Sequence, residues 1–493
     1  LVTGVQTCAL PILLARKAVC VLLAGATVAL SAATASAANG AKTIEPSKAA
    51  LQAAAQLRDR ALQSNDAYDW LAAISTEVGP RQAGSRGDAA GVAWLRDKLT
   101  ALGFSNVRTP EVIVPHWVRG EASFEVVAPY PQNMVTLAIG GSIGTPEDGI
   151  TAPVVMVQDV PALQALKREQ VEGKIVYFAG RTERTRDGSG YGKAVRSRQE
   201  GPSAAATLGA VGIVIRSIGT SNNRIAHTGT LTYNIGAPRI PAVAISNPDA
   251  NLLERQLASG KPVNVRMRVT ARDLPQVRSA NVIGEIPGTD LANEIVLVGG
   301  HLDSWDPGFG VQDDGAGVII AMAAAKLAAN MEPKPRRTIR VIGFANEEFG
   351  LSGAFKYPAD EGKENVDRHA FAMEADLGAG PVWKLSARVP DAHWPLILGI
   401  HRTVKNLGVE LGDNKTGGGS DLGPLRRQGV PTLAPALDAT HYFDIHHTPN
   451  DTLEQVDPAK LKQSVAVFAV SVYLAAMANG PVERIATEPN ARN

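Results

Sequence analysis

The chain has 493 residues, of which 45% are hydrophobic and 20% charged, and its formal net charge is +1. That length allows two or three domains with a sizeable core. The near-neutral balance excludes an electrostatic case for nucleic acid or an anionic membrane surface as partner. Because the first residue is Leu1, residues 1–14 are expected to be an extension without physical meaning. A basic pair, Arg16-Lys17, an apolar run over 18–30 and the small-residue stretch Ala35-Ser36-Ala37 then read as a cleavable signal peptide. A retained N-terminal anchor is the alternative. The expectation is a secreted or periplasmic protein with no stable membrane insertion after cleavage near Ala37. Both cysteines, Cys8 and Cys20, lie in this leader. The mature chain then has neither a disulfide framework nor a cysteine-ligated metal.

Residues 38–66 are alanine-rich with polar spacing, as in an exposed amphipathic helix. The helical pattern continues from Asp69 until Gly79-Pro80-Arg81 breaks it, and a second helix is expected over 87–102, ended by Gly103. Strands are expected at 106–109 and 111–114. Residues 38–117 thus form the first part of a domain that an insertion at 118–278 interrupts. In that insertion short apolar runs recur at 152–157, 174–179, 211–216 and 242–245, separated by Gly-, Pro- and Asn-rich connections. A short helix over 203–209 feeds the third run. The pattern predicts a β-rich module with little helix and no metal-ligand spacing. The basic residues at 181–198 are interleaved with acids and glycines, which reads as a solvated loop.

From 279 to 480 the texture is α/β, leaving 481–493 as a tail. Buried strands are expected at 295–298, 338–344, 370–373 and 432–437. Helices are expected at 315–330, 395–406 and from Asp457-Pro458 to 477, the last with an N-cap and a first-position proline. Alternating strands and helices predict a mostly parallel, mixed sheet flanked by helices on both faces.

Residues able to bind metal stand where these hydrophobic runs end: His301 and Asp303, Asp313-Asp314, Glu347-Glu348, Asp376 and His446-His447. Open α/β sheets bind ligands at the carboxyl ends of their strands. Imidazole and carboxylate together suit zinc, whereas calcium and magnesium prefer oxygen alone. Two metals need a carboxylate with an oxygen for each, and Asp313, in the tight loop before a helix, is the natural bridge. Asp303 is positioned to hydrogen-bond a ligand imidazole and fix its tautomer. Glu347 and Glu348 are adjacent, so one can bind metal while the other accepts a proton. No H-E-x-x-H motif is present, and Gly417-Gly-Gly-Ser420-Asp421 does not match the G-x-S-x-G elbow.

These clusters, together with Pro115-His-Trp-Val-Arg-Gly-Glu121, Ser142-Ile-Gly-Thr-Pro146, Met373-Glu-Ala-Asp376 and Tyr442-Phe-Asp-Ile-His-His447, resemble zinc exopeptidases of the carboxypeptidase Q family. More broadly they are similar to the bacterial leucyl aminopeptidase type. The matching stretches span about residues 70–475. The resemblance implies two Zn2+ per chain, with His301 and Asp376 on one, Glu348 and His447 on the other, and Asp313 bridging. It implies a cis peptide between Asp313 and Asp314, a protease-associated domain at 118–278, and a homodimer. It also implies peptide hydrolysis by a hydroxide held between the zincs, with Glu347 as general base, on dipeptides or short peptides with a free terminus. Relatives often carry a tyrosine just before the last histidine ligand; here that residue is His446, which becomes the candidate for stabilising the oxyanion. Two rival readings are a glutaminyl cyclase-type acyltransferase and a non-catalytic receptor-like binding protein of the same fold.

Blander roles are expected elsewhere. Asp314 reads as an N-cap, and Ser420-Asp421 as either a turn or part of the site's surroundings. His393 and His401 read as solvent-facing, and His441 is left open. Trp117 and Trp305 read as packing, although Trp305 follows the His301 motif closely enough to line a pocket.

Overall fold

Residues 43–486 are described by the computed structural model; the leader and both cysteines lie outside them. Eight strands form the first sheet. In spatial order they are Ser105–Arg108, Val282–Ile286, Arg337–Phe344, Leu291–His301, His369–Glu374, Thr432–Leu437, Val382–Arg388 and Glu410–Leu411. The central four run parallel, so their carboxyl ends open on one edge. Alternation of side chains sorts each strand between two apolar layers. Val296, Val298, Ile339, Val341, Phe371 and Met373 face one layer, and Ile295, Leu297, Ile342, Phe344 and Ala372 face the other.

The first layer is closed by helices Ala316–Ala329, Pro458–Met477 and Lys48–Gln63. The alanine-rich sequence of the first helix lets it be buried on nearly every side, between the sheet and its neighbours. The helix Pro458–Met477 is long and apolar enough to cross a membrane, but it is mostly buried and serves as a core element. The helix Lys48–Gln63, expected to be exposed, instead buries Ala50, Ala53, Ala54, Leu57 and Ala61 along one stripe. Helices Ser352–Asp367 and Gly423–Arg427 close the opposite layer.

A second eight-stranded sheet is built from residues 122–269. Its centre, Ile150–Val157, Ile175–Phe178, Gly212–Arg216 and Ala242–Ile245, is parallel. Parallel neighbours need crossover connections; here Val160–Gln164 lies in the first and Gly201–Thr207 in the second, and Asn247–Ala258 follows the last parallel strand and leads to the antiparallel strand Asn264–Val269. The expectation of little helix is therefore wrong; most of these helices are short and rich in Gly, Pro or charge, so no periodicity showed. The expected solvated loop at 181–198 is also corrected. It holds helices Ser189–Ala194 and Arg196–Gln199, and Arg198 is only 3% exposed. An antiparallel ribbon of Glu111–Val118 and Arg272–Ala280 joins this module to the first sheet.

Candidate metal centre

The strand Leu291–His301 delivers His301 to the open edge of the first sheet. Its Nδ1 lies 3.0 Å from the Asp303 carbonyl oxygen. A carbonyl only accepts, so Nδ1 carries the proton and Nε2 presents a lone pair. That Nε2 lies 3.2 Å from Asp313 Oδ1 and 3.6 Å from Asp376 Oδ1. His447 repeats the arrangement from the opposite side. Its Nδ1 is 3.3 Å from the Thr228 carbonyl, and its Nε2 is 3.1 Å from Asp313 Oδ2 and 3.0 Å from Glu348 Oε2. Asp313 therefore turns one oxygen to each histidine.

Two sets of donor atoms, each within 4.8 Å, share Asp313: one with His301 and Asp376, the other with His446 and His447. The second set raises the choice between adjacent histidines. Their rings stack with centroids 3.4 Å apart, and His446 Nε2 is 3.5 Å from Asp313 Oδ2. His447 has its second nitrogen anchored on a carbonyl, whereas His446 Nδ1 is buried without a partner. An anchored outer nitrogen is the usual mark of a metal-binding imidazole, which favours His447. Asp313 Oδ2 and Glu348 Oε1 are likewise buried without a hydrogen-bond partner. The orphaned Asp313 oxygen faces His447, and together with the orphaned Glu348 oxygen this donor set fits a divalent cation.

Electrostatics agree. Burial, reinforced by Asp376, Glu348 and Asp303, pushes Glu347 well above the usual carboxylate range. Burial, with Asp313 nearby, pushes Glu348 up to about 7, and burial raises Asp376 as well. Burial opposes a charge on His447, yet Glu348 and Asp313 outweigh it and push the imidazole up to about 9. Bound cations would reverse this crowding.

The supporting residues explain the geometry. The Asp303 carboxylate accepts hydrogen bonds from the backbone N–H of Glu347 (2.9 Å) and of Glu348 (3.3 Å). The bond between Asp303 and the His301 ring is made by the Asp303 carbonyl, while the carboxylate oxygen lies 3.6 Å away and is engaged with the glutamates. Asp314 accepts from Gly317 N, as a helix cap does, and from His301 N. The Asp313–Asp314 peptide is cis. Trp305 donates its indole N–H to Glu348 Oε2 at 2.6 Å, so it is more than packing. Trp117 is buried and donates to the Ser142 carbonyl. Asp421 is buried near Glu374, while Ser420 is exposed.

Several residues here escaped the sequence reading. Asp451 accepts from Gln312 N (2.6 Å) and Asp313 N (3.2 Å). Arg81, fully buried, donates to the carbonyls of Leu302, Phe309 and Gly310 and so shapes the loop carrying Asp303 and Trp305. Two expectations fail: His393 is buried with neither ring nitrogen bonded, and His401 is half-buried with Nε2 on the Val409 carbonyl. Both helix faces turn inward. His441 is exposed and lies beside Asp444.

A parallel-strand edge carrying paired imidazoles around a shared aspartate, with the buried carboxyl of Glu347 alongside, defines a metal-dependent hydrolase. Comparison with known proteins narrows this. A profile of peptidase family M28 matches residues 281–472. Carboxypeptidase Q of Mus musculus is 34% identical over 84% of this chain and 86% of its own length. The crystal structure of a peptidase M28 precursor from Shewanella amazonensis SB2B superposes with a TM-score of 0.87 at 43% identity, covering 90% of this chain and 99% of that one. BSAP, a zinc aminopeptidase from Bacillus subtilis, shares the fold at 21% identity and a TM-score of 0.59, covering 83% and 94%. The chain belongs to peptidase family M28 and is a metallo-exopeptidase.

Proposed function

We propose that the protein is an exported di-zinc exopeptidase acting on dipeptides or short peptides with a free terminus. The observation that carries the two-metal reading is Asp313, whose oxygens face His301 on one side and His447 on the other. Mixed imidazole and carboxylate donors favour zinc; BSAP is itself a zinc enzyme by name. His301 and Asp376 would hold one ion, His447 and Glu348 the other, and Asp313 both. When bound, such ions polarise a carbonyl oxygen and acidify water.

The remaining chemistry belongs to side chains. Glu347, its backbone fixed by Asp303, takes a proton from the attacking water and returns it to the leaving amine. Asp303 acts by positioning both glutamates. His446, buried beside Asp313 with a free ring nitrogen, donates to the oxygen that becomes negative as the scissile carbonyl turns tetrahedral. The signal-like leader supports export.

The test compares free, N-acetylated and C-amidated dipeptides with wild type and Glu347→Gln. Loss of cleavage on acetylation identifies an aminopeptidase, on amidation a carboxypeptidase, and on both a dipeptidase. Glu347→Gln should abolish turnover while both zincs stay bound. Surviving activity, or no cleavage of any peptide by zinc-loaded wild type, would overturn the reading.

A further inference from the structure

The two halves of the centre differ in what holds them. His301 is anchored on the Asp303 carbonyl, two residues along its own chain. His447 is anchored on Thr228, which belongs to the second-sheet module. Thr228 grips the same residue twice, because its N–H also donates to the His447 carbonyl at 3.0 Å. Next to it, His227 Nδ1 lies 2.8 Å from the His446 carbonyl.

Thr228 is itself fixed by two arginines. Arg198 donates to the Thr228 carbonyl at 3.1 Å, to the Thr230 carbonyl at 2.9 Å and to the Tyr191 hydroxyl at 2.7 Å. Tyr191 stacks on Phe443, with centroids 4.7 Å apart, and meets the His446 ring edge-on at 5.0 Å. Arg119 donates to Thr228 Oγ1 at 2.8 Å and pairs with Asp306, beside the Trp305 that bonds Glu348. Gly229 leaves no room for error. Its φ is +125°, and a Cβ there would stand 1.9 Å from an Arg198 nitrogen and 2.8 Å from His447 Nδ1.

We propose that Arg198, through the Thr228 carbonyl, is a positioning residue for the His447–Glu348 metal position alone. The inference rests on the two-zinc reading above. The module then sets the occupancy of one metal position while the His301–Asp376 position is independent of it. An outer partner of a metal-bound histidine typically contributes 10- to 100-fold in affinity. Without Arg198, the Thr228 carbonyl loses the donor that holds it against His447.

The experiment is a zinc titration of the metal-free full chain against a competing chelator, read as bound zinc per chain and independent of turnover. For Arg198→Met the first equivalent should bind as in wild type and the second about 10- to 100-fold more weakly. Tyr191→Phe, a gentler change, should weaken the second equivalent in the same direction. The control is Arg216→Met, which breaks an ion pair with Glu254 in the same module; Arg216 makes none of the bonds that hold Thr228. It should leave both equivalents unchanged. Equal weakening of both equivalents by Arg198→Met, or no weakening by either Arg198→Met or Tyr191→Phe, overturns the proposal. So does an equal loss in Arg216→Met, which would mean generic loosening of the module. A wild type that binds one zinc refutes the two-zinc reading itself.

Discussion

Asp451 offers a direct measure of how much Asp313 depends on its setting. Its carboxylate accepts the N–H groups of Gln312 and Asp313, and it is 3% exposed. In Asp451→Asn one of those N–H groups would face an amide NH2 and lose its acceptor. A hydrogen bond to a charged group contributes roughly 1.5–3 kcal/mol. At about 1.4 kcal/mol per tenfold change in an equilibrium constant, that corresponds to roughly a 10- to 100-fold loss. The loss should appear in zinc affinity, because both bonds pin the segment that aims Asp313 between the two histidines. The assay is chelator-competition titration alongside thermal melts of the metal-free protein. Weaker binding of both equivalents is expected, since on the proposed two-zinc reading Asp313 would serve both. Unchanged zinc affinity with lowered metal-free stability would refute the reasoning and make Asp451 a plain structural cap.

Three further outcomes follow from the same structure. Chelation should lower the melting temperature as well as abolish hydrolysis, since Glu347, Glu348 and Asp376 are all raised by burial, with at least one neighbouring carboxylate adding to each; a melting temperature indifferent to zinc contradicts this. His369, buried against the Tyr357 hydroxyl, is held down by burial from 6.5 to about 4. A depressed folded-state value means its contribution is complete above 6.5 and is lost as pH falls through about 4. That amounts to about 3 kcal/mol in all; urea melts of wild type and His369→Gln should converge towards acid, and parallel curves would refute it. Phe371→Ala, at a fully buried site of the parallel sheet, should cost about 3–5 kcal/mol in urea unfolding, with a loss under 1 kcal/mol counting against the packing described.

The candidate site was legible because its residues end the hydrophobic runs that become parallel strands. His301, Glu347 and Asp376 each stand at or just beyond such an end, and a pattern of four runs is enough to place them on one edge. Asp313 was legible as a carboxylate placed between two histidines, and it turns one oxygen to each of His301 and His447. The supports were not legible. Thr228 reaches His447 across 219 positions of sequence, and Arg81 reaches Leu302 across 221. Nothing local marks a carbonyl that will orient a distant ring. Arg198 was misread because charge beside glycine looks solvated until a tertiary contact buries it. The second sheet was recognised as strands but not as a parallel sheet, since its crossover helices are mostly too short to show a 3.6-residue period.

The ribbon of Glu111–Val118 and Arg272–Ala280 has one more consequence. Val118 pairs with Arg272 at one end and Glu111 with Ala280 at the other, so the chain enters and leaves the second-sheet module side by side. Such a module is a cassette. A different module could be grafted on the same two strands without rerouting the first sheet. Yet a graft that keeps the ribbon and loses the carbonyl at Thr228 would give a well-folded chain whose His447 ring is free to turn. Inheritance of this module is therefore constrained at Thr228, deep within its sequence, rather than at the ribbon itself.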